Sequence, residues 1–168
     1  MRSPETPGSS SYTKVNGGEG YVHGFETELA AKLTDDFTLR SGFTIMGGST
    51  DYYDGYQDMH EPIRTMPVTF FTALRWDSPS RRFWAELVEQ VVDKEDRLTE
   101  KDKKDTQRIP PGGTPGYLLT DIRMGYKITK NLHLVAAVEN LLDEAYRVHG
   151  SGSNEPGRNF ICSLEYKW

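Results

Sequence analysis

From Asn159 to the C-terminus, Phe160, Cys162, Leu164, Tyr166 and Trp168 alternate with Asn159, Ile161, Ser163, Glu165 and Lys167, and the last residue is aromatic. A period of two belongs to an extended strand whose two faces meet different surroundings. The same period recurs upstream. Tyr21, His23, Phe25, Thr27, Leu29, Ala31 and Leu33 occupy one parity of a first run, and Phe37, Leu39, Ser41, Phe43 and Ile45 one parity of the next. Val68 to Trp76, Leu118 to Ile128 and Leu132 to Val138 repeat it. Arg82 to Val92 is less regular, because Glu89 stands among Phe83, Ala85, Leu87 and Val91, and this spacing also suits a helix. Thr34-Asp35-Asp36, Asp77-Ser78-Pro79-Ser80 and Thr129-Lys130-Asn131 carry turn residues. The expected fold is all-β, an antiparallel meander of about seven strands.

The connections sort by length. Short turns follow the first, third and fifth runs, whereas Gly47 to Thr65, Asp93 to Gly116 and Asp143 to Pro156 are long, polar and rich in Gly, Pro and charge. Short turns at one end and long loops at the other are the arrangement of transmembrane β-barrels, and the runs, Leu132 to Val138 apart, reach the about 9–11 residues of a tilted spanning strand. A mean hydropathy of -0.65 does not oppose this, since every second residue of such a strand faces water. No run approaches the about 20 apolar residues of a membrane helix. The net charge of -5 argues against a nucleic-acid partner. The single cysteine, Cys162, has no second thiol for a disulfide or a Cys-based metal site.

Seven strands do not close a barrel, because bacterial single-chain barrels have even counts from eight upward and an open edge strands backbone polar groups in hydrocarbon. Met1 to Gly8 contains no apolar segment of a signal peptide. Both features lead us to expect the C-terminal part of a larger barrel.

Gly24-Phe25-Glu26 opens a strand, and Arg108-Ile109-Pro110-Pro111 with Gly113-Thr114-Pro115-Gly116-Tyr117 precedes another. Glu139-Asn140-Leu141-Leu142-Asp143 with Tyr146-Arg147, then Glu155-Pro156-Gly157-Arg158-Asn159-Phe160 and the terminal Trp168, complete the pattern. From Gly20 onward this resembles the C-terminal barrel region of TonB-dependent outer-membrane receptors. The resemblance implies residues 1–20 as a loop segment and 21–168 as barrel, in the outer membrane and in contact with its lipid. It further implies a parent that imports a scarce ligand such as an iron chelate, haem or cobalamin, engages the TonB complex through an N-terminal plug that this sequence does not show, and is assembled by the barrel-insertion machinery.

Tyr52, Tyr53, Tyr56, Met59 and His60 are expected on an external loop able to contact cargo, joined by Arg147 and His149 from the last loop. Phe160, Leu164, Tyr166 and Trp168 are the expected assembly signal. Asn140 and Asp143 read as strand-terminating turn formers. Asp54, Gly55 and Glu61 fit places in an EF-hand loop, but Thr50 and Tyr52 fall where carboxylates are needed. No metal site, cofactor or catalytic constellation is expected. The other readings are a soluble antiparallel sandwich, a truncated receptor without function, and a barrel enzyme.

Overall fold

A computed structural model describes residues 18–53 and 57–168. The strands are β1 (Gly18–Lys32), β2 (Phe37–Tyr53), β3 (Asp58–Pro62), β4 (Thr69–Asp77), β5 (Phe83–Val92), β6 (Tyr117–Lys127), β7 (Leu132–Glu139) and β8 (Asn159–Tyr166); one short helix, α1 (Glu100–Lys104), lies between β5 and β6. They form one sheet in the order β1-β2-β4-β5-β6-β7-β8, with β3 added to β2. Every pairing is antiparallel. The expected meander of seven long strands is present, and β1 and β8 remain as open edges.

Cross-strand register decides the faces, since paired residues point to the same side. Phe25 pairs with Ile45, Thr27 with Phe43, and Phe43 with Phe70. The row Leu39, Leu74, Leu87, Ile122, Val138, Phe160 is continuous across six strands. This face is apolar almost throughout, and Phe25, Leu29, Leu74, Leu164 and Tyr166 on it are exposed. The opposite face carries Glu26, Glu28, Arg40, Arg75, Glu86, Asp121, Arg123 and Glu139. There Arg40 reaches the buried Glu86 at 3.0 Å. Arg75 pairs with Asp77 and also stacks over Trp84 at 4.2 Å. The Trp84 indole lies flat on Gly125, where a Cβ would stand 2.3 Å from Nε1.

With one layer of sheet, the buried apolar residues among those described are only Ala73, Val92 and Ile109. No second sheet covers the apolar face, so the soluble sandwich is overturned: a sandwich buries its inner faces between two sheets.

Three expectations are corrected, and the strand reading of the fourth run is borne out over its helical alternative. Gly18 to Gly20, read as loop, are strand, because β1 pairs with β2 from Gly18↔Tyr52 onward. Gly47 to Thr65 is not simply a loop, since β2 continues to Tyr53 and β3 folds back on it. The helical alternative for Arg82 to Val92 fails: it is β5, and Glu89 faces the apolar side, where the Thr120 hydroxyl donates to it at 2.8 Å. The closing strand ends at Tyr166, with Trp168 beyond it and fully exposed.

The short turns are closed by their own side chains. Thr34 Oγ1 accepts from the N–H groups of Asp36 and Phe37, Thr129 Oγ1 from those of Asn131 and Leu132, and Ser78 Oγ from that of Phe83. Arg81 supplies the left-handed residue of the β4–β5 turn at φ 55.

Candidate functional site

The loop end of the sheet carries two different structures. At the β1 side, the ends of β1, β2 and β3 enclose an open recess of about 480 Å³ lined by Gly18, Glu19, Asp51, Tyr52, Tyr53, Asp58, Met59 and His60. Four expected contact residues, Tyr52, Tyr53, Met59 and His60, therefore come together. They arrive on a β-hairpin rather than a free loop, and they straddle it. Tyr52 pairs with Met59, whereas Asp51 pairs with His60 on the other face. His60 Nδ1 lies 2.5 Å from Asp51 Oδ1, with both side chains largely in solvent. Glu19 is the opposite cross-strand neighbour of Asp51. Tyr56 lies outside the described residues. Among the described residues, no three His, Cys, Asp or Glu side chains are arranged to hold a metal ion.

Arg147 and His149 stand elsewhere. Arg147 donates to Asn154 Oδ1 at 3.0 Å and lines a separate recess of about 170 Å³ with Pro110, Pro115, Gly116 and Tyr146. His149 is half-buried, and its Nδ1 lies 2.9 Å from Thr114 Oγ1. Burial lowers its pKa, the nearby Arg64 adds to this, and Glu95 opposes it. Burial thus disfavours the charged imidazole at this tie between two loops.

A buried polar assembly that sequence reasoning missed joins these loops. Thr99 caps α1 by accepting from the Asp102 N–H at 3.0 Å, and Asp102 Oδ2 accepts from the Thr99 N–H at 3.1 Å. Asp102, almost fully buried, also pairs with Arg64 from the β3–β4 connection. The Glu61 carboxylate accepts from the Tyr52 hydroxyl at 3.0 Å and from the Glu100 N–H at 3.0 Å. Glu95 holds Arg97 through Nε and Nη2, and Arg97 reaches Thr65 Oγ1 and the Met46 carbonyl. The last contact falls where β2 changes partner: β4 pairing ends at Thr44↔Thr69 and β3 pairing begins at Ser49↔Pro62. Arg97 thereby satisfies a carbonyl in the gap of the ladder. Thr-x-x-Asp before a charged run is a capping-box pattern, so Thr99 and Asp102 had a usable sequence signal. Arg64, and the reach of Arg97 to Thr65 and Met46, had none, because these partners are far along the chain.

The Asn140 region is a clamp. Asn140 ends β7 at φ 50, and Asp143 adopts φ 59. The Asn140 amide accepts from the Glu144 N–H at 2.8 Å and donates to the Glu144 and Pro156 carbonyls, while its backbone N–H donates to Asp121 Oδ1. Asp143 Oδ1 accepts from the Arg158 N–H at 2.8 Å, and Arg158 Nε donates to the Leu141 carbonyl. The Tyr146 ring packs 4.6 Å from that of Tyr117, and burial raises the Tyr146 pKa. Asn140 and Asp143 are turn formers, as their residue types suggested.

A single antiparallel sheet with one apolar face, one charged face and loops sorted to one end is a segment of transmembrane barrel wall. The sequence matches the family described as TonB dependent receptor-like, beta-barrel over residues 1–141, and the chain belongs to that family. It is 24% identical over 157 residues to the ferric enterobactin receptor PirA of Pseudomonas aeruginosa, a match covering 89% of this chain and 20% of that protein. Among solved structures, the copper transporter OprC superimposes with a TM-score of 0.71 at 19% identity, covering 88% of this chain and 23% of that one. The structure of the FpvAI-pyocin S2 complex gives 0.64 at 15% identity, covering 89% and 19%. The chain thus spans about a fifth of the proteins it matches. The first of these relatives is named as a receptor and the second as a transporter.

Proposed function

We propose that this chain forms the C-terminal wall of an outer-membrane receptor that imports a scarce metal chelate, with the β2–β3 hairpin and the loop end of β1 contributing to cargo contact. The observation that carries the reading is the unbroken cross-strand register, which segregates an apolar face from a charged one while all the long loops leave from a single end. In this reading the short turns are periplasmic and the long loops extracellular. Tyr52, Tyr53, Met59 and His60 offer aromatic, thioether and imidazole groups at the mouth of an open recess, a chemistry suited to an aromatic chelate or to haem. Tyr56, close to them in sequence, is proposed as a fifth contact. Arg147 and His149 are better read as loop ties than as cargo ligands, since each is already bonded to a neighbouring loop.

Transport driven by the TonB complex would require a plug supplied by the remainder of a receptor. Insertion would rest on β8, where Phe160, Leu164 and Tyr166 share the apolar face and Trp168 follows. Uptake of radiolabelled ferric catecholate, haem and cobalamin by cells carrying a receptor with this C-terminal wall is the test. TonB-dependent uptake of one cargo, reduced by Tyr52→Ala or His60→Ala, is expected; uptake indifferent to TonB would overturn the reading. Tyr166→Asp should lower the amount of folded receptor in the membrane, since a charge on the lipid face is unfavourable, with Asp costing less than the about 2–4 kcal/mol of Arg or Lys.

A further inference from the structure

The apolar face has one depression. In the cross-strand row Ala85, Met124, Ala136, Cys162, the two alanines and the cysteine are small beside two bulkier rows, Leu87, Ile122, Val138, Phe160 and Phe83, Tyr126, Leu134, Leu164. The result is an apolar groove of about 190 Å³ with Met124, Ala136, Val138, Phe160 and Cys162 along it. One step nearer the short-turn end, Arg82 holds its guanidinium 5.7 Å from the centre of the Tyr126 ring and donates to the carbonyls of Lys127 and Ile128. The carboxylates of this end are already engaged: Asp35 with Lys32, Asp36 with Arg81, Asp77 with Arg75 and Glu165 with Lys167. Arg82 and the exposed Lys130 are left without an acidic partner among the described residues.

We propose that this corner binds one anionic phospholipid of the periplasmic-side leaflet, its phosphate on Arg82 and Lys130 and one acyl chain in the Met124–Ala136–Cys162 groove. Three features select this occupant. Two cations without carboxylates complement an anionic headgroup. The Tyr126 ring, at the level where aromatic belts meet the headgroups, orients the guanidinium toward the interface. Met124 and Ala136 stand two residues along their strands from the paired Tyr126 and Leu134, roughly 7 Å at about 3.3 Å per residue, so the groove starts where the upper carbons of an acyl chain would lie. The proposal rests on the apolar face meeting the bilayer, as the family assignment requires, and is independent of the imported cargo.

Native mass spectrometry of the detergent-solubilised chain, titrated with dioleoyl phosphatidylglycerol or dioleoyl phosphatidylcholine, tests it. Phosphatidylglycerol should be retained preferentially, and Arg82→Gln and Lys130→Gln should each reduce that preference about fivefold. Lys130 lies in an exposed turn, so its variant is read without concern for folding. Ala136→Phe, which fills the groove, should weaken retention of the dioleoyl lipid and leave dihexanoyl phosphatidylglycerol unaffected. Equal retention of the two headgroups, or variants that match the unaltered chain, would overturn the proposal. So would displacement of the lipid by inorganic phosphate at similar concentration, which would leave only an anion site. Cargo uptake by the receptor is untouched by any of these outcomes and is judged separately.

Discussion

The two halves of the loop end are built on opposite principles. On the Asp51–His60 face of the β1–β2–β3 corner the polar groups are exposed and the ion pair is solvated on both sides, while Glu61 on the other face belongs with the buried assembly. The half above β5 to β8 buries Glu95, Asp102, Thr114 and Asn140 and satisfies them across three connections. Exposed pairs contribute little to stability, whereas a buried charge that loses its partner is costly. The first corner can therefore change its contacts cheaply, as a cargo surface must, while the second holds the rim in shape.

The sharpest way to break this contrast is Asp102→Ala. It strands Arg64 and removes the carboxylate half of the α1 capping box, leaving the Thr99 cap in place, and should destabilise the β5–β6 loop by about 2–4 kcal/mol, read as lost hydrogen-exchange protection across residues 93–116. Unchanged exchange there would mean that the assembly does not hold the loop. Asn140→Ala comes next, at about 1–3 kcal/mol. It forces Ala into the left-handed region and removes the amide bonds to Glu144 and Pro156, so the β7–β8 loop should become sensitive to protease while β7 stays protected.

His149 gives a pH-dependent version of the same test. Its pKa in the packed loop is below the ordinary 6.5, so as pH falls through that value the released loop takes up the proton first and the packed form loses stability. Exchange in residues 140–158, corrected for its intrinsic pH dependence, should speed up below about pH 6.5. His149→Leu should abolish that dependence, and a pH-independent loop in the unaltered chain would contradict the tie to Thr114. The smallest effect belongs to His60→Ala, which should alter stability by less than about 1 kcal/mol in a denaturant titration. A large loss there would show that the open corner is structural after all.

Alternation placed five of the long strands within a few residues, and the start but not the end of β2, and it put Phe25, Leu29, Phe43, Leu74, Ile122, Leu134, Leu164 and Tyr166 on the apolar parity of their runs, because a period of two is visible in the residues themselves. The fourth run was ambiguous for a reason that lies in another strand. Glu89 breaks the pattern of β5, and its acceptance of a hydrogen bond from Thr120 on β6 is a contact no local reading contains. Gly47 to Thr65 was misread because its composition is that of a loop, yet ladder pairing to Ser49 through Tyr53 makes β3 a strand. Tyr52, Tyr53, Met59 and His60 from that segment line one recess, but which of them share a face followed only from the Asp51↔His60 and Tyr52↔Met59 register.

What the sequence determined by itself is the class of surface each strand presents and where the chain turns, since both depend on neighbours one or two residues away. The polar weld of the loops was decided by tertiary structure alone. Arg64 meets Asp102, Arg97 meets Met46, and Thr114 meets His149 only after the strands have set their ends side by side. Such pairings are selected by burial, which makes an unpartnered charge or carbonyl expensive, and burial is a property of the folded sheet and not of any segment of its sequence.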